Sequence, residues 1–482
     1  MTKEKTITVA YGDGIGPEIM ESVLYILRKA MACIKIESIE IGEKLYNHGW
    51  TSGISSDAWE TVKHNKVLLK APITTPLGHG YKSLNVTFRK GLALFANVRP
   101  VQSYYPYVKS MHSNMDVVIV RENEEDLYAG VEYQISPGAS IAYKIVSKSA
   151  SEKIIRYAFE YAKAHNRKKV TCITKNNIMK VTDGTFESIF QEIAKEYKEI
   201  NSEHMIVDIA AARLAAKPEN FDVIVTLNLY GDILSDIAAE ISGSVGLAGS
   251  ANIGAEFAMF EAVHGSAPDI AGKNIANPSG LLNAAILMLE HLENYDTATT
   301  IQNALLKTLE DGIHTADIYQ EEKSIKKAST KEFTDAVTSN LGKKPKKIIC
   351  NTVKNSQKIN IPTSIKPKIV EQELVGVDLY LQCNTSELEK VISNIQEFKN
   401  KELLLHLVSS RGIIIWPNRA TESIECDFFR FRFLKKVKAE NPTQEDIIKL
   451  LQYLNDLGIH ISGVQSLFSY DKKIGFSLAQ GE

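Results

Sequence analysis

Asp232 and Asp236 lie four residues apart in YGDILSDIAAEI, and on a helix that spacing puts both carboxylates on one face. Like charges there repel, and a hard divalent cation such as Mg²⁺ would turn the repulsion into binding. Taken alone, the pair reads as well as a helix cap followed by a solvated side chain. Arg89 in KSLNVTFRK, preceded by Ser83 and Asn85, and Arg99 and Arg121 after strand-like runs are of the type that captures carboxylates bidentately. Three converging guanidiniums would imply a polyanionic small substrate, and one sequence does not show convergence. Lys175 follows VTCIT and Tyr128 lies in DLYAG, loop positions where catalytic residues of open α/β sheets tend to sit. His264 belongs to EAVHGSAPDIAGKNIANP, an irregular stretch long enough to wrap a nucleotide, with Asp269 able to accept from a ribose diol. Gly12 to Glu18, GDGIGPE, lacks the G-x-G-x-x-G spacing, and Pro17 removes a donor, so a tight turn is expected rather than a phosphate cradle.

These side chains need a scaffold, and the first three hundred residues alternate short apolar runs with amphipathic stretches, the rhythm of βα units. Strands are expected at 6–11, 67–70, 117–120, 170–174, 205–209 and 223–227, and helices at 17–30, 152–164, 186–197, 281–292 and 297–311. Residues 342–370 carry eight lysines, three prolines and no acid, and read as a linker. Beyond it, VGVDLYLQC, LLLHLVSS, GIIIW and FFRFRFL alternate with two helical stretches, which predicts a small antiparallel sheet with helices on one face, an α+β module over 371–482.

Composition bounds the function. Of 482 residues 44% are apolar and 24% charged, so neither disorder nor a membrane-embedded body is expected. With 56 Lys plus Arg against 58 Asp plus Glu, the charge balance does not favour nucleic acid as a partner. Five cysteines without a CxxC pair fit neither a zinc site nor a disulfide framework, and the start MTKEKTITVAYGDG lacks a signal core, so a cytoplasmic location is expected.

Together, GDGIGPE, RENEEDLYAG, NLYGDILSD and EAVHGSAPDIAGKNIANP resemble, in order and over roughly residues 5 to 340, the β-decarboxylating dehydrogenases of isocitrate, homoisocitrate and 3-isopropylmalate. TTPLGHGYKSLNVTFRK is similar to the isocitrate version, and the whole chain looks most like the longer bacterial isocitrate dehydrogenases of the Thermus and Rickettsia type. The resemblance implies an α/β fold with an open sheet that is not the Rossmann fold. It implies a large domain at 1–94 and 243–341, a small domain at 95–242, and a dimer clasp near 126–147. It also implies a homodimer with shared active sites and oxidative decarboxylation of isocitrate to 2-oxoglutarate and CO₂.

Carried over by position, Arg89, Arg99 and Arg121 would clamp carboxylates, and Ser83 and Asn85 would hold the distal one. Asp232, Asp236 and Asp208 of the other subunit would bind Mg²⁺ or Mn²⁺, whose charge would stabilise first an alkoxide and then an enolate. Lys175 of the partner subunit, with Asp208, would assist hydroxyl deprotonation, and Tyr128 would deliver a proton to carbon. Thr75, Asn177, Gly254, Glu261, His264, Gly265, Ala267 and Asn277 match the family's cofactor positions. NADP-using members carry Lys-Tyr where this chain has Asp269-Ile270, and a Tyr and an Arg where it has Ala316 and Gln320. A carboxylate about 4 Å from a 2′-phosphate would cost ~4 kcal/mol at an effective dielectric of about 20, so NAD is expected over the alternative, NADP. The rivals are a dehydrogenase of homoisocitrate or 3-isopropylmalate, and a non-catalytic regulatory subunit.

Overall fold

The computed structural model describes residues 4–50, 52–74, 83–348, 359, 370–398, 402–417, 426–436, 440–479 and 482. Its contacts divide the chain into two compact units. One comprises Met1–Tyr128, Ile145–Ile178 and Asp183–Ile365, and the other Ala129–Lys144, Met179–Thr182 and Lys366–Glu482. Thr75 and most of the expected linker fall outside the described residues.

The first unit is built on a ten-stranded sheet. Its strands are β1 (Lys5–Ala10), β2 (Ile34–Ile39), β3 (Val67–Lys70), β4 (Ala96–Gln102) and β5 (Asp116–Glu122). After a hairpin of β6 (Glu132–Ser136) and β7 (Ala139–Ala142) come β8 (Lys169–Thr174), β9 (Asn201–Ile206), β10 (Val223–Thr226), β11 (Gly249–Ile253) and β12 (Ala258–Ala262). The order is β2-β1-β3-β12-β11-β4-β5-β10-β8-β9. Pairing is parallel in both wings and antiparallel where β11 meets β12 and β4, and where β4 meets β5. Strands such as VLLK and VIVT are buried along their whole length, as parallel strands covered on both faces must be.

The helices that matter to the site are α1 (Gly16–Lys29), α2 (Leu84–Gly91), α3 (Lys148–Ala164), α4 (Val207–Ala216), α5 (Asn228–Ser242), α6 (Ser279–His291) and α7 (Tyr295–Glu310). Most expected elements lie within a few residues of these. The strand expected at 205–209 is a correction: it ends at Ile206, and α4 begins at Val207. Asp208 therefore sits in the first turn of a helix, where its charge suits the macrodipole. The GDGIGPE segment is a tight turn. Gly12 has φ +67°, and a Cβ there would meet the Pro72 carbonyl oxygen at 2.1 Å, so only glycine lets the turn lie against that loop.

In the second unit, β13 (Gln372–Gln382), β14 (Leu403–Ser410), β15 (Ile413–Trp416), β16 (Phe428–Lys435), β17 (His460–Tyr470) and β18 (Lys473–Ile474) form an antiparallel sheet ordered β15-β14-β16-β13-β17-β18. Leu379, Leu381, Phe429, Phe431 and Phe433 pack on α8 (Leu388–Gln396) and α9 (Gln444–Asp456), so both helices cover one face. The β6–β7 hairpin belongs to this unit, with Ser136 Oγ and the Gly138 amide both donating to Asp427 and Gln382 Nε2 donating to the Ile135 carbonyl. Arg432, 1% exposed, makes two 2.8 Å bonds to Asp378 and one of 2.9 Å to Glu482. Arg432→Met would leave the buried Asp378 carboxylate only the longer 3.7 Å contact with Arg430, at an expected cost of ~3 kcal/mol to this unit. Chemical denaturation followed by Trp416 fluorescence checks this, and adding Asp378→Leu should restore most of the loss.

Candidate active site

Strand pairing is what brings the arginines together. Asn97 of β4 stands opposite Arg121 of β5, so Asn97, Arg99 and Arg121 share one face of the sheet. Arg121 donates from Nε and Nη2 to Asn228 Oδ1, at 3.0 and 2.8 Å, and from Nη1 to Asp232. Arg99 Nε donates to Asn97 Oδ1 at 2.6 Å, and its Nη1 lies 3.3 Å from Asp232 Oδ1 and 3.8 Å from Asp236 Oδ1. Arg89 reaches in from α2 and pairs with Glu261 at 3.0 Å, while its Nε is buried without a hydrogen-bond partner. All three guanidiniums are buried. Burial, opposed by Asp232, lowers the pKa of Arg99; burial and then the charges of Arg99 and Arg89 bring that of Arg121 down to about 9.

The two aspartates occupy the first half of α5, as the i, i+4 spacing predicts. Gly231 makes room for this: a Cβ there would meet Arg121 Cγ at 2.5 Å. Burial would raise the Asp232 carboxyl, but Arg121 and Arg99 outweigh it, and the net shift is downward. Asp236 is pushed up by burial, against the pull of Arg99, with the Asp232 charge adding to the rise. A cation between them would relieve that repulsion. Carboxylate oxygens suit Mg²⁺ or Mn²⁺, yet two fall short of an octahedral shell. Among the described residues no group of three or more His, Cys, Asp or Glu side chains could hold a metal.

Tyr128 donates its hydroxyl to Asp232 Oδ2, and its ring lies 4.9 Å from the Arg121 guanidinium carbon. Burial and the bond to Asp232 raise its pKa, so the phenol stays protonated at neutral pH. Lys175 and Asp208 form a separate pair at 2.6 Å, with Asp208 largely exposed. The hydrogen bond from Lys175 lowers the Asp208 pKa.

A cavity of about 90 Å³ joins Asn85, Arg89 and Arg99 to Glu261, His264 and Gly265. Asn85 Oδ1 and His264 Nε2 are buried there without partners. Ser83 precedes α2 and Asn177 is exposed in a turn. Ala267 is left-handed at φ 38°, Ile270 packs against the core, and Asp269 and Gly265 are exposed.

Two expected cofactor positions stand differently. Gly254 closes the turn between β11 and β12, its amide donating to Phe257 at 2.8 Å, at the opposite end of β12 from His264. Close approach to the Ala93 carbonyl, 2.7 Å from a Cβ there, explains the glycine. Asn277 is held by Asp317 and by the Ser279 amide, which it caps at 2.9 Å.

Sequence reasoning missed Lys70, Asn228 and Glu122. Lys70 is 1% exposed and 2.7 Å from Glu261; a lysine ending the apolar run VLLK was its only signal. Glu122 is pushed up to about 8 by burial, against the lowering effect of the Glu124 and Glu125 amides.

Residues 6–337 match the family model "Isocitrate/isopropylmalate dehydrogenase", and residues 372–482 match "Bacterial isocitrate dehydrogenase, C-terminal domain". A Rickettsia bellii protein named isocitrate dehydrogenase [NADP] is 55% identical over 100% of both chains. A Thermus thermophilus protein of the same name is 41% identical over 99% of this chain and 96% of its own. A crystal structure of a Thermus thermophilus protein superposes with a TM-score of 0.92 at 40% identity, covering 99% of this chain and 96% of that one. The two named relatives carry NADP in their names, and the NAD preference expected from Asp269-Ile270 finds no support there. The physical reason for discounting that expectation is the exposure of Asp269: water screens a solvated carboxylate, so the energy expected for a fixed pair about 4 Å apart is an upper bound. Among the described residues no helix is long and apolar enough to cross a membrane.

Proposed function

Because the chain belongs to the isocitrate/isopropylmalate dehydrogenase family, we propose that it oxidatively decarboxylates isocitrate to 2-oxoglutarate and CO₂ with reduction of NADP. The observation that carries the reading is the set of three buried guanidiniums, close enough that Arg89 lowers the proton affinity of Arg99 and both lower that of Arg121. Such repulsion is costly in the free protein and is relieved by a ligand bearing several carboxylates. Asn85, whose Oδ1 is unpartnered in the same cavity as Arg89 and Arg99, would with Ser83 choose the carboxylate that distinguishes isocitrate.

Tyr128 is the proton donor to carbon, since its phenol is kept protonated and oriented by Asp232. Lys175 of the partner subunit, paired with Asp208 of the partner subunit, acts on the substrate hydroxyl proton. Asp232 and Asp236, with Asp208 of the partner subunit, would hold Mg²⁺ or Mn²⁺, which when bound supplies charge stabilisation for developing negative oxygen. Assembly as a homodimer is supported by Ile209 on α4 and Ile233 on α5, large apolar side chains left exposed beside Asp208 and Asp232. NADP rests on the relatives' names, and His264, Gly265 and Ala267 are the residues offered to it.

Initial rates with isocitrate and Mn²⁺, taken in parallel with NADP and NAD, test the reading. The expected result is a kcat/KM at least tenfold higher with NADP, about 1.4 kcal/mol of discrimination. A preference for NAD would overturn the cofactor assignment and restore the argument from Asp269. Faster turnover of 3-isopropylmalate than of isocitrate would overturn the substrate.

A further inference from the structure

A second cavity, of about 130 Å³, opens beside β5 at the end away from Arg121. Asp116 lines it, five residues and roughly 17 Å along the strand from Arg121, and Pro100, next to Arg99 on β4, lines its nearer side. Its walls are apolar at Val101, Leu247 and Ile286. Among its polar groups, Tyr161 comes from α3, Asn283 and Glu290 from α6, His165 and Arg167 from the segment after α3, and Asp116 from β5.

Tyr161 is only 7% exposed, and its hydroxyl makes no hydrogen bond among the described residues. Its ring stacks on His165 at 3.9 Å. Glu290, in the last turn of α6, has neither an ion pair nor a side-chain hydrogen bond among the described residues. A carboxylate at a helix C-terminus is disfavoured by the macrodipole, and burial without a partner disfavours it again. Asn283 donates its amide to the Leu247 carbonyl at 2.8 Å, which leaves its side-chain oxygen as an acceptor. Arg167, the one cation among the lining residues, is spent on Asp116 at 2.7 Å and Asp222 at 3.0 Å.

We propose that this cavity is a binding site for a compact primary alkylammonium ion, held by Glu290, Tyr161 and Asn283. An ammonium has three donors and no acceptor, and the cavity offers it a carboxylate, a hydroxyl oxygen and an amide oxygen. The alkyl portion lies against Leu247 and Ile286, and the volume suits a ligand of about the size of benzene. An anion is disfavoured, because Asp116 and Glu290 face the space and Arg167 is already neutralised.

The titratable groups around Glu290 are Tyr104, Asp116, Tyr161, His165 and Arg167. Burial lowers the His165 pKa, which favours the neutral imidazole, and raises that of Tyr161, whose phenol stays protonated between pH 6 and pH 8. Burial brings Glu290 up to about 7. Its carboxylate form falls about tenfold from pH 8 to pH 6, and ammonium binding falls with it.

The test is calorimetric titration of the full-length protein with n-butylammonium chloride at pH 8 and pH 6, with NaCl and tetramethylammonium chloride at equal ionic strength as controls. The expected result is saturable binding at pH 8, about tenfold weaker at pH 6, lost in Glu290→Gln and weakened in Tyr161→Phe. Tetramethylammonium, which has no N–H, should bind at least tenfold more weakly than n-butylammonium. Absence of saturable binding to the unaltered protein, equal binding at both pH values, or unchanged binding to a folded Glu290→Gln would each overturn the proposal. Should Glu290→Gln fail to fold, the pH comparison and Tyr161→Phe decide.

Discussion

Asp232→Asn should lower kcat/KM for isocitrate about a thousandfold or more, equivalent to ~4 kcal/mol of transition-state stabilisation, while the fold is retained. The size follows from how much one carboxylate does. It is the shared partner of Arg99, Arg121 and the Tyr128 hydroxyl, and one of two carboxylates on the face proposed for the metal. Asparagine keeps the volume but removes the charge, so the two guanidiniums repel with less compensation and Tyr128 loses its charged acceptor. Steady-state rates over a range of Mn²⁺ concentrations, with circular dichroism as the control for folding, make the measurement. A fall of less than tenfold at saturating metal would show that the cluster does not do the chemistry assigned to it.

Glu261→Gln should cost the first unit ~3–5 kcal/mol, with a reduced urea midpoint. The carboxylate is buried between Lys70 at 2.7 Å and Arg89 at 3.0 Å and accepts from Asn252 at 2.9 Å. The neutral amide leaves a buried ammonium and a buried guanidinium without their counter-charge. Burial alone would raise the Glu261 pKa, but Lys70 and Arg89 outweigh it and hold the carboxyl far below its usual range. The folded pKa is depressed, so the stabilisation is complete above the unfolded value of about 4.3 and is lost as pH falls below it. The difference between wild type and variant should therefore be flat at neutral pH and shrink only in acid. A loss under ~1 kcal/mol at pH 7 would mean that solvent reaches the pair.

Legibility of the fold in the sequence followed the burial of each strand. VLLK, VTCIT and VIVT are buried throughout and lie near their expected bounds. β11, GSANI, was not expected, and β4, ANVRPVQ, only as a strand-like run before Arg99, because polar residues take several of their buried positions: Asn97 bonds Asn252 at 2.8 Å, and Arg99 faces the aspartates. Period and hydrophobicity are blind to a polar interior that is satisfied by its own hydrogen bonds. The candidate residues were legible as types, and Asp232 with Asp236 as a spacing. Their convergence was not, because it depends on β4 pairing with β5 and on α5 crossing both. Lys70 and Asn228 could not be found by motif, since each matters only through the partner that folding supplies.

The sheet order also sets a timetable. β3 pairs with β12, Val67 beside Ala258, and β4 with β11, Val98 opposite Ala251. During synthesis the N-terminal wing β2-β1-β3 therefore has an open edge until about 190 further residues have been made, which at ~5–20 residues per second is roughly 10–40 s. An unpaired strand with an apolar run such as VLL in VLLK is a template for wrong pairing over that interval. The second wing, β5, β10, β8 and β9, draws its partners from a shorter stretch, Asp116 to Thr226, and can close first. Of the two wings of this sheet, the one made first is thus completed last, by the hairpin of β11 and β12.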